Sequence, residues 1–204
     1  MRAYSVTLDR ALSLAATAHR NQERKGSSVP YIMHPVHTAM ILLKHGFPEE
    51  VVIAGVLHDV VEDTAVTLAE IEAQFGPQVA RLVDAVSERK REPGGELLPW
   101  RQRKSERIDH LRDADSLVAA LKSADALHNV QAMLRDLERN GEETWQRFRG
   151  SQADQLWYYT TLAAVLRQRL GTHPLSVELD EAVAQLAEWH RCTAARAAGP
   201  APRE

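Results

Sequence analysis

The segment His58-Asp59-Val60-Val61-Glu62-Asp63-Thr64 places one imidazole and three carboxylates within seven residues, directly after the apolar run Val51-Val52-Ile53-Ala54-Gly55-Val56-Leu57. Charges at the edge of a core helix are costly unless they are paired or held by a cation. The chemistry such a cluster could perform is that of a metal centre with an acid pair beside it. The ordinary alternative is a satisfied core histidine next to a capping aspartate.

His58 and Asp59 are neighbours, which on a helix point about 100° apart. They can share an ion only if other elements close its shell. Two further donors stand out. His34 lies in Pro30-Tyr31-Ile32-Met33-His34-Pro35, and Asp125 sits in the apolar stretch Leu121-Lys122-Ser123-Ala124-Asp125-Ala126-Leu127-His128-Asn129, where a carboxylate requires a partner. His34, His58, Asp59 and Asp125 supply two nitrogens and two oxygens. A set without cysteine disfavours structural zinc and suits Mn²⁺, Fe²⁺ or a catalytic Zn²⁺ with positions open to water and substrate. Glu62 stands one turn beyond His58 on the same face, and Asp63 lies beside it at the expected helix end. Carboxylates there can hold or move the proton of an attacking water, or can be solvated helix-end charges. His128 is placed to orient Asp125, to line a pocket or to pack. His19, His37, His45, His110, His173 and His190 are explained as helix ends or solvent faces.

The elements that must position these groups read as helices almost throughout. Leu8, Ala11, Leu12, Leu14, Ala15 and Ala18 recur at helical spacing. A polar stretch, 21–29, precedes a second helix that opens at His34-Pro35 and stops at Gly46. Pro48 opens a third, carrying the His-Asp pair. Thr67 and Glu70 form a capping box for a short helix ending near Gly76, and Pro77 begins the next. Arg89 to Pro99 reads as a loop. Helices then cover Trp100 to about Leu111, Leu117 to Leu137, Gln152 to Leu170 and Val177 to Ala195. The expectation is an all-α bundle of about eight to ten helices in one domain over 1–196, with a disordered tail at 197–204.

Composition bounds the remaining possibilities. The chain has 204 residues, 44% hydrophobic and 5% aromatic, so its core is built mainly from Leu, Val, Ala and Ile. A net charge of −3 gives no basis for nucleic-acid binding. Cys192 is single, which excludes an internal disulfide and fits a cytoplasmic protein. No apolar run is long enough to span a bilayer, and the first twenty residues lack a secretory core.

The order His34-Pro35, His58-Asp59, Glu62-Asp63-Thr64 and Leu121-Lys122-x-Ala124-Asp125-x-Leu127-His128-Asn129 resembles the HD-superfamily hydrolase domain of RelA/SpoT homologues. Thr67-Leu68-x-Glu70-Ile71-Glu72-x-x-Phe75-Gly76 extends the similarity, which runs from about Ala15 to about Leu137. With no space for a synthetase domain, the chain is similar to the stand-alone small alarmone hydrolases. The resemblance implies a helical bundle around one Mn²⁺ that removes the 3′-pyrophosphate of guanosine tetra- or pentaphosphate, giving GDP or GTP and pyrophosphate. Carried over, it makes His34, His58, Asp59 and Asp125 the ligands and Glu62 and Asp63 the catalytic carboxylates. Arg24-Lys25 falls where the family has an Arg-Lys pair that packs on the base and reaches phosphate. Asn129 falls near the nucleotide, and Tyr31 is a pocket wall. Among Arg101, Arg103, Lys104 and Arg107, one or two meet the polyphosphate, or the run is a solvated face. The chain departs from the family at Ala126, often basic elsewhere, and at Val130-Gln131-Ala132, often Met-Arg-Thr. A rival of the same fold would act on an adenosine alarmone or the 2′-phosphate of NADPH. A non-catalytic nucleotide sensor is the third reading; it would have no use for the Glu62-Asp63 pair.

Overall fold

The structure, a computed structural model, describes residues 5–88 and 96–197. Most of the expected Arg89–Pro99 loop and nearly all of the expected tail lie outside the described residues. Among the described residues ten α-helices and one 3-10 segment follow one another, there is no strand, and an isolated antiparallel bridge joins Glu23 and Pro30. The all-α expectation holds.

The centre of the bundle is α3 (Glu49–Leu57), in which every residue from Val51 to Leu57 is buried. A helix apolar on all sides must be surrounded, and α1 (Val6–Ala18), α2 (Met33–Lys44), α6 (Pro77–Val86) and α8 (Ser116–Asn140) pack around it. Gly55 sets the α2–α3 spacing. A Cβ there would lie 2.7 Å from Leu42 Cδ1 and 3.4 Å from the Ala39 Cα, so a larger residue would require the buried Leu42 side chain to shift.

The third helix does not run on through the His-Asp pair as the sequence suggests. It ends at Leu57, and a separate single turn, α4 (Val60–Asp63), follows. Asp59 between them has φ −95° and ψ −7°, far enough from helical values to turn the chain. The break brings the His58 and Asp59 side chains to one point, with His58 Nε2 3.1 Å from Asp59 Oδ2.

Local signals account for most boundaries. The Ser5 hydroxyl caps α1 by accepting from the Leu8 N–H. The Thr67–Glu70 capping box opens α5 (Leu68–Phe75), and Pro77 stands at the first turn of α6. After α7 (Trp100–Arg112), Asp115 caps α8 by accepting from two backbone N–H groups. α8 runs to Asn140, three residues past its expected end at Leu137, and passes into an unanticipated 3-10 segment, Gly141–Arg147. Polar Glu138, Arg139 and Asn140 hid that last turn, since they add nothing to an apolar stripe. A second capping box, Ser151 with Asp154, opens α9 (Gln152–Leu170), and α10 starts at Pro174 rather than Val177. Both C-terminal helices pack on α8. No described helix is long and apolar enough to cross a membrane.

Candidate metal centre and nucleotide cleft

Three elements converge on one point beneath a cleft of about 710 Å³, within the ~300–1,000 Å³ of small-molecule sites. His34 comes from the first turn of α2, His58 and Asp59 from the α3–α4 break, and Asp125 from the middle of α8. His34, His58 and Asp59 each offer one donor atom, all within 4.8 Å of one another. Asp125 stands outside that triplet, but its Oδ1 is 3.1 Å from His34 Nε2 and 3.8 Å from His58 Nε2.

The donor chemistry fits a divalent cation. His58 Nδ1–H donates to the Gly55 carbonyl at 2.9 Å, which leaves a lone pair on Nε2 in the neutral ring. His34 Nδ1 meets His128 Nδ1 at 2.6 Å. Burial lowers the His128 pKa to about 3, so that ring is neutral; when His34 Nδ1 carries the proton of this contact, His34 also turns a lone pair inward. The two Nε2 atoms lie 3.2 Å apart, beside carboxylate oxygens. Such an arrangement repels itself unless a proton or a metal ion lies between the donors. Bonds of about 2.1 Å would hold neighbouring ligands about 3.0–3.4 Å apart in octahedral or tetrahedral geometry, close to the 3.1 and 3.4 Å of the His–Asp59 contacts.

The electrostatics follow from burial and charge. Burial lowers the His34 pKa. Burial also pushes His58 down, but the Asp59 charge and hydrogen bond outweigh it and bring the ring to about 9. Asp59 resists burial because His58 and His34 hold it below the ordinary carboxylate range. Lys122 does the same for Asp125, with Nζ 2.6 Å from Oδ2, and is itself pulled up by that carboxylate against the effect of burial.

A second ring of side chains orients the first. The Tyr31 hydroxyl donates to Asp59 Oδ2 at 2.7 Å and lies 3.4 Å from Asp63 Oδ2. Burial and those carboxylates push its pKa up, so it remains a donor. Asn129 Nδ2 donates to Asp125 Oδ1 at 2.6 Å, and Arg24 Nη2 donates to Asn129 Oδ1 at 2.9 Å. Arg24 also lies 5.8 Å over the Tyr31 ring. Tyr31 and Asn129, read from the sequence as substrate contacts, thus also hold the donor carboxylates. Lys25 lines the same cleft, as do Glu62 and Asp63. Glu62 Oε2 accepts from the Glu88 backbone N–H at 2.9 Å, and the Asp63 carbonyl accepts from Gln22 Nε2 at 2.9 Å.

The basic run divides. Arg103 and Lys104 line the cleft and pair with Glu88. Arg101 pairs with Asp154 and lies over the Trp157 ring, while buried Arg107 donates to the Ala85 carbonyl. His19 is no solvent-face residue: it caps α1 and is buried, with Nδ1 2.7 Å from Gln22 Oε1. His37 lines the cleft and stacks on His128. Sequence reasoning missed Lys122, Gln22 and Glu88. Lys122 carries a local signal, three residues before Asp125 on one helix face. Gln22 and Glu88 reach the acid pair from distant segments and carry none.

Comparison with known proteins places this geometry. The sequence model of a family described as an HD domain matches residues 11–157. A guanosine-3′,5′-bis(diphosphate) 3′-pyrophosphohydrolase of Mus musculus is 36% identical over 181 residues, which is 87% of this chain and 91% of that protein. The Homo sapiens counterpart is 36% identical over 179 residues, 86% of this chain and 90% of its own length. The bifunctional (p)ppGpp synthase/hydrolase SpoT of Escherichia coli is 33% identical over 180 residues, 85% of this chain but 23% of that protein. A solved structure of a metazoan orthologue of SpoT, described as hydrolysing ppGpp, superposes with a TM-score of 0.72 at 29% identity, covering 91% of this chain and 98% of that one.

Proposed function

The chain belongs to the HD-domain family, and from that premise we propose that it is a cytoplasmic hydrolase removing the 3′-pyrophosphate of guanosine tetra- or pentaphosphate. The observation that carries the reading is the convergence of His34, His58 and Asp59 in the cleft that Glu62 and Asp63 also line. Its support is the likeness to 3′-pyrophosphohydrolases over nearly their whole length.

In this reading His34, His58, Asp59 and Asp125 hold one divalent ion, Mn²⁺, with Zn²⁺ and Fe²⁺ as substitutes. When bound, the ion neutralises phosphoryl charge and lowers the pKa of water. Glu62 and Asp63 position the attacking water and take its proton. The new P–O bond forms at the phosphorus attached to the ribose 3′ oxygen, the bond from that oxygen to phosphorus breaks, and pyrophosphate leaves with the 3′ hydroxyl restored. Tyr31 orients Asp59 by donating to Oδ2 and stands beside the Asp63 carboxylate. Arg24, steadied by Tyr31 and Asn129, presents a planar cation to the purine and phosphates, and Lys25 adds a second charge.

The test is product analysis by anion-exchange chromatography after incubating the Mn²⁺-loaded protein with guanosine tetraphosphate. GDP and pyrophosphate in equal amounts are expected. Released orthophosphate, or turnover of an adenosine alarmone or NADPH with guanosine tetraphosphate untouched, overturns the assignment.

A further inference from the structure

The stripe of α8 that carries Asp125 continues beyond the donor cluster. Asp125, His128, Ala132, Arg135 and Arg139 all line the same cleft. At 100° per residue they fall within about 80° of one another around the helix, and at about 1.5 Å per residue Arg135 and Arg139 stand about 15 and 21 Å along the axis from Asp125. An arginine side chain reaching back from those positions leaves a span suited to a nucleoside phosphorylated at both ends. Ala132 lies between, with only a methyl group to raise the cleft floor.

Four other cations of the cleft wall are engaged, while Arg149 lines it with its guanidinium in no hydrogen bond or ion pair among the described residues. Arg24 bonds to Asn129, Lys122 pairs with Asp125, and Arg103 and Lys104 pair with Glu88. Arg135 and Arg139 are exposed, and among the described residues their guanidinium groups have no hydrogen bond or ion pair. Two unneutralised guanidinium groups one turn apart in a cleft favour a bidentate anion such as a phosphate.

We propose that Arg135 and Arg139 form a second phosphate subsite, which takes the 5′ phosphates of the nucleotide whose 3′ phosphates lie at the His34–His58–Asp59 end. This rests on the nucleotide reading above and adds a specificity: the chain selects nucleotides phosphorylated on both sides of the ribose.

GDP and guanosine isolate the subsite, because both lack 3′ phosphates and differ only on the 5′ side. Each is titrated calorimetrically into the Mn²⁺-loaded protein, freed of excess metal. Charge-assisted hydrogen bonds predict GDP at least about tenfold tighter than guanosine. In Arg135→Gln/Arg139→Gln the ratio should fall below about threefold, and Arg135→Lys/Arg139→Lys should restore most of it. Both positions are solvent-facing, and circular dichroism melts show whether each variant is folded. No preference for GDP in the natural protein, or a preference surviving in the glutamine variant, overturns the subsite. Turnover of guanosine tetraphosphate is scored separately. If turnover is absent while the GDP preference depends on the arginines, the functional reading falls and the subsite stands. If turnover is present and the preference ignores them, the subsite alone falls.

Discussion

His34 Nε2 and His58 Nε2 face one another at 3.2 Å, although 24 residues separate them along the chain. Each ring has its other nitrogen committed, to His128 and to the Gly55 carbonyl respectively. Two imidazole nitrogens this close, with carboxylate oxygens beside them, require a proton or a metal ion between them, and a metal ion would displace the proton that Asp59 favours on His58.

Removal of one donor therefore has a thermal as well as a chemical readout. The natural protein should melt higher with Mn²⁺ than after chelation, by about 2.7 kcal/mol of added stability at a hundredfold excess over Kd. Asp59→Ala should abolish this shift, and metal analysis should find little bound manganese. A full Mn²⁺-dependent shift in the variant would remove Asp59 from the ligand set.

Glu62 is separable from metal binding. Glu62→Gln keeps an oxygen to accept the Glu88 N–H but no longer takes a proton. It should retain its metal and lose about 10²–10⁴ of kcat, the usual contribution of a general base. Turnover equal to that of the natural protein would rule Glu62 out as the base.

Tyr31 couples the donor set to the acid pair. Tyr31→Phe deletes the hydroxyl that donates to Asp59 Oδ2 and approaches Asp63 Oδ2. Loss of an outer-shell donor of this kind should weaken Mn²⁺ by about 10–100-fold in competition with a chelating dye. A substrate KM raised with unchanged metal affinity would instead make Tyr31 a pocket wall alone.

Glu88 supplies an acid dependence. Burial raises its pKa, but Lys104 and Arg103 outweigh that and hold it below the ordinary 4.5. A carboxylate lowered on folding contributes stability that is present above about pH 4.5 and is lost as pH falls through the folded value. Glu88→Gln should lower stability at pH 7 by about 2 kcal/mol, because it leaves two cations of the cleft wall unpaired. Urea midpoints between about pH 5 and 3 should also fall less steeply than in the natural protein. Parallel acid limbs would contradict this.

Much of this was legible in the residues themselves. The cap at Thr67, prolines at first turns and the all-apolar run before His58 act within a few residues, so they specify helices wherever the chain goes. His34, His58, Asp59 and Asp125 stood out because each is a polar group in an apolar setting, which calls for a partner without saying which one. Packing named the partners. The packing of α2 on α3 brings His34 to His58, and α8 carries Asp125 to His34 across 91 residues of sequence. The break at Asp59, the Gln22 bond to Asp63 and the Glu88 bond to Glu62 were likewise decided in three dimensions. Helix formation depends on neighbours three and four residues away, whereas a coordination shell depends on where separate helices come to rest against one core.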